Sequence, residues 1–145
     1  MRKIGHFPLW IGHAGNGRDV SRMHELGIRA LVQLASEEPA IPVPRDLLYF
    51  RIPIADGSGD QDETLALAIR AVADLIARRV PTLVCCAAGL SRSPCVAAAG
   101  LAVAIGVSAD EGLRQVADAG RCDVAPELWN EAVGLLAGWR SGDGA

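Results

Sequence analysis

The chain has 145 residues, of which 50% are hydrophobic and 21% are charged. This length allows one domain with one continuous core, and this composition excludes a disordered chain. The formal net charge of −3 predicts no general attraction to nucleic acid or to acidic membranes, and no apolar run approaches the roughly 18 residues of a membrane helix. We expect a monomeric cytoplasmic protein with one domain over residues 1–140 and a short polar tail over 141–145.

The first half of the chain predicts one short helix and three strands. Asp19 is the expected N-cap of a helix that ends at Gly27, because apolar residues recur at every third position between them. A Gly-rich segment over 12–17 precedes this helix and predicts a turn. Apolar and β-branched runs predict strands over residues 9–11, 28–34 and 47–54.

The second half predicts helices around one buried strand. After a polar turn over 56–59, Asp60 with Glu63 resembles a capping box, which opens a helix that runs to about Arg79. The apolar run over 81–86 indicates a central strand that is covered on both faces, as parallel strands are. The alternation predicts an α/β fold with a central, mostly parallel sheet of four to five strands and helices on both faces. Three further helices are predicted to begin near Pro94, after Ser108 and at Pro126.

The cysteines predict reduced thiols rather than disulfides or a metal site. A chain of this length and apolar content needs no disulfides, and two neighbouring cysteines have Cα atoms about 3.8 Å apart, closer than disulfide geometry prefers. No CxxC motif is present, and the three histidines do not have metal-ligand spacing. We expect no metal and no cofactor. The four cysteines are Cys85, Cys86, Cys95 and Cys122.

The loop over 86–93, between the central strand and the Pro94 helix, carries the strongest chemical signal. A loop from the end of a strand to the start of a helix directs several backbone N–H groups to one point, where the helix dipole favours phosphate. The same field favours a cysteine thiolate, so Cys86 is the candidate nucleophile. Arg92 offers a planar fork for two phosphate oxygens, and Ser93 is placed to donate a hydrogen bond to the sulfur.

The sequence Cys-Ala-Ala-Gly-Leu-Ser-Arg-Ser over 86–93 resembles the signature loop of the dual-specificity protein phosphatases, within the protein tyrosine phosphatase group. The spacing of cysteine and arginine alone arises easily by chance, but Gly89 and Ser93 make the pattern specific. Weaker resemblances to the family's opening strand, next helix-to-strand segment and general-acid stretch lie in residues 9–12, 26–34 and 52–56.

This resemblance implies the family's fold and a phosphomonoester hydrolase that forms a phosphocysteine intermediate on Cys86. The implied substrates carry phosphotyrosine and also phosphoserine or phosphothreonine, on a phosphorylated protein or a small phosphomonoester. The loop residues between Cys86 and Arg92 are neutral, which disfavours a polyanionic inositol phospholipid head group. With Arg92, the residues implied to bind the substrate phosphate are Ala87, Ala88, Gly89, Leu90 and Ser91.

The leaving oxygen needs a proton from a carboxylic acid on a nearby loop. Asp60 has a structural explanation as a helix cap, and Asp62 has one as an acid in the first helical turn. Asp56 lies in the Gly-rich turn past a strand, where no structural need is evident, and it matches the family's general-acid position. We expect Asp56 to be the acid, with Asp60 and Asp62 as alternatives.

One residue departs from the family pattern and leaves other functions open. The family usually has histidine before the nucleophile, and this chain has Cys85. Adjacent strand residues point to opposite faces, so we expect Cys85 to point away from the phosphate. A thiol is a weak donor, so we expect a softer loop. The alternative functions are a catalytically weak or inactive binder of phosphorylated ligands and a rhodanese-type sulfurtransferase. For Ser93 alone, the structural alternative is a role as the N-cap of the helix near Pro94.

Overall fold

The computed structural model describes residues 1–57 and 59–141, which form one five-stranded sheet with helices around it. The strand order is β1-β2-β5-β3-β4. The strands are β1 (Arg2–Lys3), β2 (Leu9–Gly12), β3 (Ala30–Ala35), β4 (Leu48–Ile54) and β5 (Thr82–Cys85), and the helices are α1 (Ala14–Arg18), α2 (Val20–Glu25), α3 (Asp62–Ala77), α4 (Arg92–Ile105), α5 (Ala109–Ala119) and α6 (Pro126–Ser141).

The central strand is β5, as its continuous apolar sequence predicts. It pairs in parallel with β2 on one side and with β3 on the other, and all four of its residues are buried. β4 extends the parallel sheet beside β3, while the two-residue β1 is antiparallel to β2 at the opposite edge. The predicted α/β class and mostly parallel sheet are confirmed.

Alternate residues of the strands face two separate hydrophobic cores. The larger core joins Val32 and Val84 to the inner faces of α3, α4, α5 and α6. The smaller core lies on the other side, where Leu31 and Leu83 pack against Met23 of α2. Since a parallel strand directs its carboxyl end to the same edge as its neighbours, the segments after β2, β3, β4 and β5 meet at one edge of the sheet.

Two local predictions are wrong, and one short strand was not predicted. The Gly-rich segment after β2 contains the short helix α1, because the His13 imidazole and the Asn16 side chain cap each other's backbone N–H groups. β1 has no counterpart in the sequence analysis. The capping box at Asp60 is also wrong: α3 begins at Asp62, and its N-cap is Gln61, which makes no side-chain cap.

Other helix boundaries are as predicted or close to it. Asp19 accepts a hydrogen bond from the backbone N–H of Arg22 and caps α2, and Ser108 caps α5 in the same way. The N-cap of α4 is Ser91, not Ser93. The polar tail predicted from Ser141 lies outside the described residues, apart from Ser141 itself, which ends α6. Among the described helices, none combines the length and hydropathy of a membrane span.

Candidate functional site

The loop over 86–91 joins β5 to α4 and packs against the segment that follows β2. Gly89 has a φ of +77°, which favours glycine, and a Cβ there would lie 3.0 Å from the backbone carbon and oxygen of Gly12. The Ala14 N–H donates to the Ala87 carbonyl over 3.0 Å, and the Asp123 N–H donates to the Leu90 carbonyl over 2.6 Å. Backbone contacts on two sides therefore fix the shape of the loop.

The Cys86 sulfur lies at the N-terminus of α4 and accepts two backbone hydrogen bonds. The donors are the N–H groups of Gly89, at 3.3 Å, and Ser93, at 3.4 Å. The sequence predicts such a bond from the Ser93 hydroxyl, but that oxygen is buried and has no hydrogen-bond partner among the described residues. The amide donors and the helix N-terminus both direct partial positive charge at the sulfur.

Cys85 faces the opposite core, as predicted from strand alternation. It packs with Met23 and Leu83, whereas Cys86 belongs to the larger core. Burial raises the pKa of Cys85 to about 12, so its side chain stays a thiol. A Cβ on Gly17 would lie 2.8 Å from the Cys85 sulfur, which shows how closely α1 covers this side chain.

Arg92 is 5% exposed and has a carboxylate partner. Its two terminal nitrogens bind both oxygens of Glu37, at 2.7 and 2.6 Å, and Nη1 also donates to the Ile54 carbonyl at 2.9 Å. The hydrogen bond from Arg92 lowers the pKa of Glu37 to about 2, and the same bond raises the pKa of Arg92. No described residue accepts a hydrogen bond from Nε, so the edge formed by Nε and Nη2 retains donors for an anion.

Glu37 was not predicted as a site residue from the sequence, although one signal pointed to it. Glu37 follows the carboxyl end of β3, at the edge where the other parallel strands also end. Its loop is held by a small polar network, in which the buried Gln33 amide donates to the Pro39 carbonyl at 2.9 Å. The Tyr49 hydroxyl donates to the side-chain oxygen Oε1 of Gln33 and accepts from the Ile41 N–H at 3.0 Å. These contacts present Glu37 to Arg92.

Asp56 is the predicted acid that contacts the loop. One of its oxygens, Oδ1, accepts a hydrogen bond from the Ser91 hydroxyl at 2.7 Å. The Gln61 side chain bonds both the N–H and the carbonyl of Ala55, at 2.9 and 3.0 Å, and so fixes the turn around Asp56. Among the described contacts, neither Asp60 nor Asp62 has a hydrogen bond to the loop over 86–91.

The site thus combines a sulfur with two amide donors, a buried guanidinium and a carboxyl group around one helix N-terminus. A tetrahedral anion bound there would meet a sulfur, a cation and a carboxyl group, which are the kinds of group that phosphoryl transfer through a covalent intermediate requires. Over residues 1–57 and 59–141, no three histidine, cysteine or acidic side chains are grouped so that they could hold a metal ion.

Solved structures with the same fold superpose on most of this chain. Human DUSP28 has a TM-score of 0.85 at 19% identity, covering 98% of this chain and 99% of that one. A mouse putative dual specificity phosphatase complexed with zinc tungstate has a TM-score of 0.85 at 22% identity, covering 98% and 89%. The human tyrosine phosphatase-like serine/threonine/tyrosine-interacting protein has a TM-score of 0.82 at 15% identity, covering 97% of each chain.

No curated protein sequence matches the chain. At identities below a quarter, the structural likeness shows the fold. The family is shown by a sequence profile. The profile of the dual specificity phosphatase catalytic domain matches residues 9–127, from the start of β2 to the first turn of α6. The chain therefore belongs to the dual specificity phosphatase catalytic domain family.

Proposed function

We propose that the chain hydrolyses phosphomonoesters through a phosphocysteine intermediate on Cys86. The observation that carries the proposal is the pair of backbone N–H groups on the Cys86 sulfur, in the same loop as the buried Arg92. A merely structural buried cysteine needs no such donors, because it is a neutral thiol in an apolar setting. The proposed substrates are phosphotyrosine and also phosphoserine or phosphothreonine of proteins.

In the first step the Cys86 thiolate attacks phosphorus, the S–P bond forms and the P–O bond to the leaving group breaks. Protonated Asp56 gives its proton to the leaving oxygen, which departs as an alcohol or phenol. Arg92 stabilises the charge on the transferring phosphoryl group through its Nε and Nη2 edge, while Glu37 and the Ile54 carbonyl hold the rest of its guanidinium.

In the second step water attacks the phosphocysteine, the P–O bond to water forms and the S–P bond breaks. The Asp56 carboxylate accepts a proton from that water, which restores the acid for the next cycle. The sulfur departs as a thiolate, stabilised by the N–H groups of Gly89 and Ser93. The Ser93 hydroxyl is buried and has no hydrogen-bond partner among the described residues, so it can supply a further donor to the sulfur when its side chain rotates toward it.

The loop over 86–93 has no charged side chain that binds phosphate apart from Arg92. This supports a phosphoester with one phosphate group rather than a polyanionic head group. A second candidate function is the binding of phosphorylated ligands without turnover. Cys85 favours it, because a buried thiol gives the loop a weaker donor than the histidine that the family usually has at this position.

The test is steady-state hydrolysis of an aryl phosphate, with and without chelator and vanadate. We expect turnover that chelator leaves unchanged and that vanadate inhibits competitively. Cys86→Ser abolishes turnover, Cys122→Ser serves as the matched control at a partly exposed cysteine, and Arg92→Lys is severely impaired because a point charge cannot replace the fork. Phosphate-analogue binding without any turnover by the wild-type protein would support the binding function instead.

A further inference from the structure

The Ser91 hydroxyl connects three loops at the site. It donates to Asp56 Oδ1 at 2.7 Å, and it accepts a hydrogen bond from the Ala125 N–H at 2.9 Å. Ser91 belongs to the loop over 86–91 between β5 and α4, which we call the phosphate loop. Asp56 follows β4, and Ala125 directly precedes α6. One side chain therefore joins the proposed nucleophile loop to the proposed acid.

Helix capping does not account for this side chain. Ser91 is the N-cap of α4, but its side chain accepts no hydrogen bond from the first turn of that helix, and its backbone has φ −125° and ψ −72° rather than the usual extended conformation. The hydroxyl is directed instead to Asp56 and Ala125, which are 35 and 34 positions away in the chain. Such long-range bonds indicate a role in the site.

The Ala125 N–H sets the direction of the hydroxyl proton. A serine oxygen has one proton to donate and two lone pairs to accept with. Because the backbone N–H of Ala125 occupies a lone pair and can only donate, the Ser91 proton is free to bond with a carboxylate oxygen. Donation from Ser91 to Asp56 is therefore the arrangement in which both bonds are made.

This bond distinguishes the two oxygens of Asp56. Oδ1 is occupied by the Ser91 proton, so the transferable proton resides on Oδ2. Gln61 holds the backbone on both sides of Asp56, at Ala55 and Gly57, but does not bond the Asp56 carboxyl group. Among the described hydrogen bonds, the one from Ser91 is the only one that reaches the Asp56 carboxyl. Ser91 thus supplies the contact that orients the carboxyl.

We propose that Ser91 is a positioning residue, which orients Asp56 so that Oδ2 delivers its proton to the leaving oxygen. The assignment rests on the proposed function, since it needs Asp56 to act as the acid. It goes beyond the phosphate-binding role of the loop backbone, because it concerns the hydroxyl and the leaving group rather than the phosphate.

The experiment compares Ser91→Ala with wild type on phenyl phosphate and on dinitrophenyl phosphate. Phenyl phosphate has a poor leaving group, whose oxygen must be protonated as it departs. Dinitrophenyl phosphate releases dinitrophenoxide readily as an anion, so it needs no proton. We expect Ser91→Ala to lower kcat for phenyl phosphate about tenfold to a hundredfold, a part of the general-acid contribution, and to change dinitrophenyl phosphate less than about threefold. Ser91→Thr, which keeps a hydroxyl, recovers most of the loss.

A double-mutant cycle with Asp56→Asn provides the second readout, and thermal unfolding of each variant accompanies it. Once Asp56 no longer carries a proton, Ser91→Ala should have no further effect on phenyl phosphate. Ser108→Ala is the matched control, because it removes a serine N-cap far from the loop and should lower stability without changing the leaving-group dependence.

Two outcomes would overturn the proposal, and they differ from each other. Equal losses on both esters, or additive effects of Ser91→Ala and Asp56→Asn, would show that Ser91 acts on the phosphate and not on the acid, while the proposed hydrolysis would stand. No wild-type turnover of either ester would overturn the proposed function and this assignment together.

Discussion

Replacing Glu37 by glutamine removes the charge that faces Arg92 and keeps the shape of the side chain. Glutamine has one carbonyl oxygen where the carboxylate has two, so one of the two short hydrogen bonds to the guanidinium is lost. Arg92 is 5% exposed, so water cannot easily replace the lost bond. Its remaining acceptors are then the Ile54 carbonyl and the single, uncharged oxygen of the glutamine side chain. We expect both the stability of the fold and the orientation of Arg92 to suffer.

The magnitude follows from the pKa of Glu37, which Arg92 lowers from 4.5 to about 2. A depression of this size corresponds to about 3 kcal/mol if it is fully expressed as stability. The Glu37 side chain is 53% exposed, and solvent screens such a charge, so we expect about 1–2 kcal/mol. With Arg92 less well held, kcat/KM for an aryl phosphate should fall roughly tenfold, equivalent to about 1.4 kcal/mol.

The pH dependence has a defined direction. In the folded protein Glu37 stays ionised down to a pH of about 2, whereas in the unfolded chain it takes up a proton near 4.5. Its contribution to stability is therefore fully present above pH 4.5 and is lost as the pH falls toward 2. The difference in the free energy of unfolding between wild type and Glu37→Gln should shrink over that interval.

Urea unfolding of both proteins at several pH values between 2.5 and 7 measures this difference. Glu111→Gln is the matched control, because Glu111 also binds an arginine, Arg114, through both carboxylate oxygens, but on the exposed surface of α5. It should leave kcat/KM unchanged. A Glu37→Gln difference that stays constant across this pH range would refute the inference that the Arg92 contact depresses the pKa of Glu37.

Three further predictions concern the phosphate loop. Cys86→Ser should bind inorganic phosphate with near wild-type affinity, measured by calorimetry, because the amide donors and the arginine remain; loss of binding would place the anion elsewhere. Gly89→Ala should destabilise the fold by about 1–3 kcal/mol and impair turnover, since its φ of +77° and the 3.0 Å approach to Gly12 exclude a Cβ; wild-type melting and kinetics would contradict this. Cys85→His should lower stability by about 1–3 kcal/mol in urea unfolding, because Gly17 closes over the sulfur and leaves no room for an imidazole; an unchanged midpoint would show that the smaller core can expand.

The parts of the site that follow directly from chain order were predictable from the sequence. Cys86 and Arg92 lie on one short loop, and the apolar run before Cys86 identifies a buried parallel strand whose end forms the binding edge. Asp56 was predicted because it follows a strand without a structural task, and the structure brings it to the loop through Ser91.

Contacts that depend on the folding of the intervening loops were not predictable. Glu37 is 55 positions from Arg92, and Glu38 beside it forms an ion pair with Arg18 instead, so sequence alone cannot choose between the two acids. Asp60 looked like a helix cap because spacing is all that sequence shows of a capping box. In the structure the Gln61 side chain bonds the turn at Ala55, and α3 begins without a side-chain cap.

The replacement of the usual histidine by Cys85 has a compensation in the packing around the loop. An imidazole before the nucleophile would stabilise the loop through a side-chain hydrogen bond, and among the described hydrogen bonds none comes from the Cys85 thiol, which packs in the smaller core. In this chain the loop is held by backbone bonds instead, from Ala14 to Ala87 on one flank and from Asp123 to Leu90 on the other.

These anchors do not involve the side chain at position 85, and they hold the loop at Ala87 and at Leu90. The close approach of Gly89 to Gly12 adds a steric constraint that holds whatever residue precedes the nucleophile. Without the histidine the loop lacks one hydrogen bond, which is typically worth about 0.5–1.5 kcal/mol. The contacts at Ala87, Gly89 and Leu90 remain and hold its shape. Because those contacts fix the loop that carries the two N–H groups, both hydrogen bonds to the Cys86 sulfur are present without the histidine.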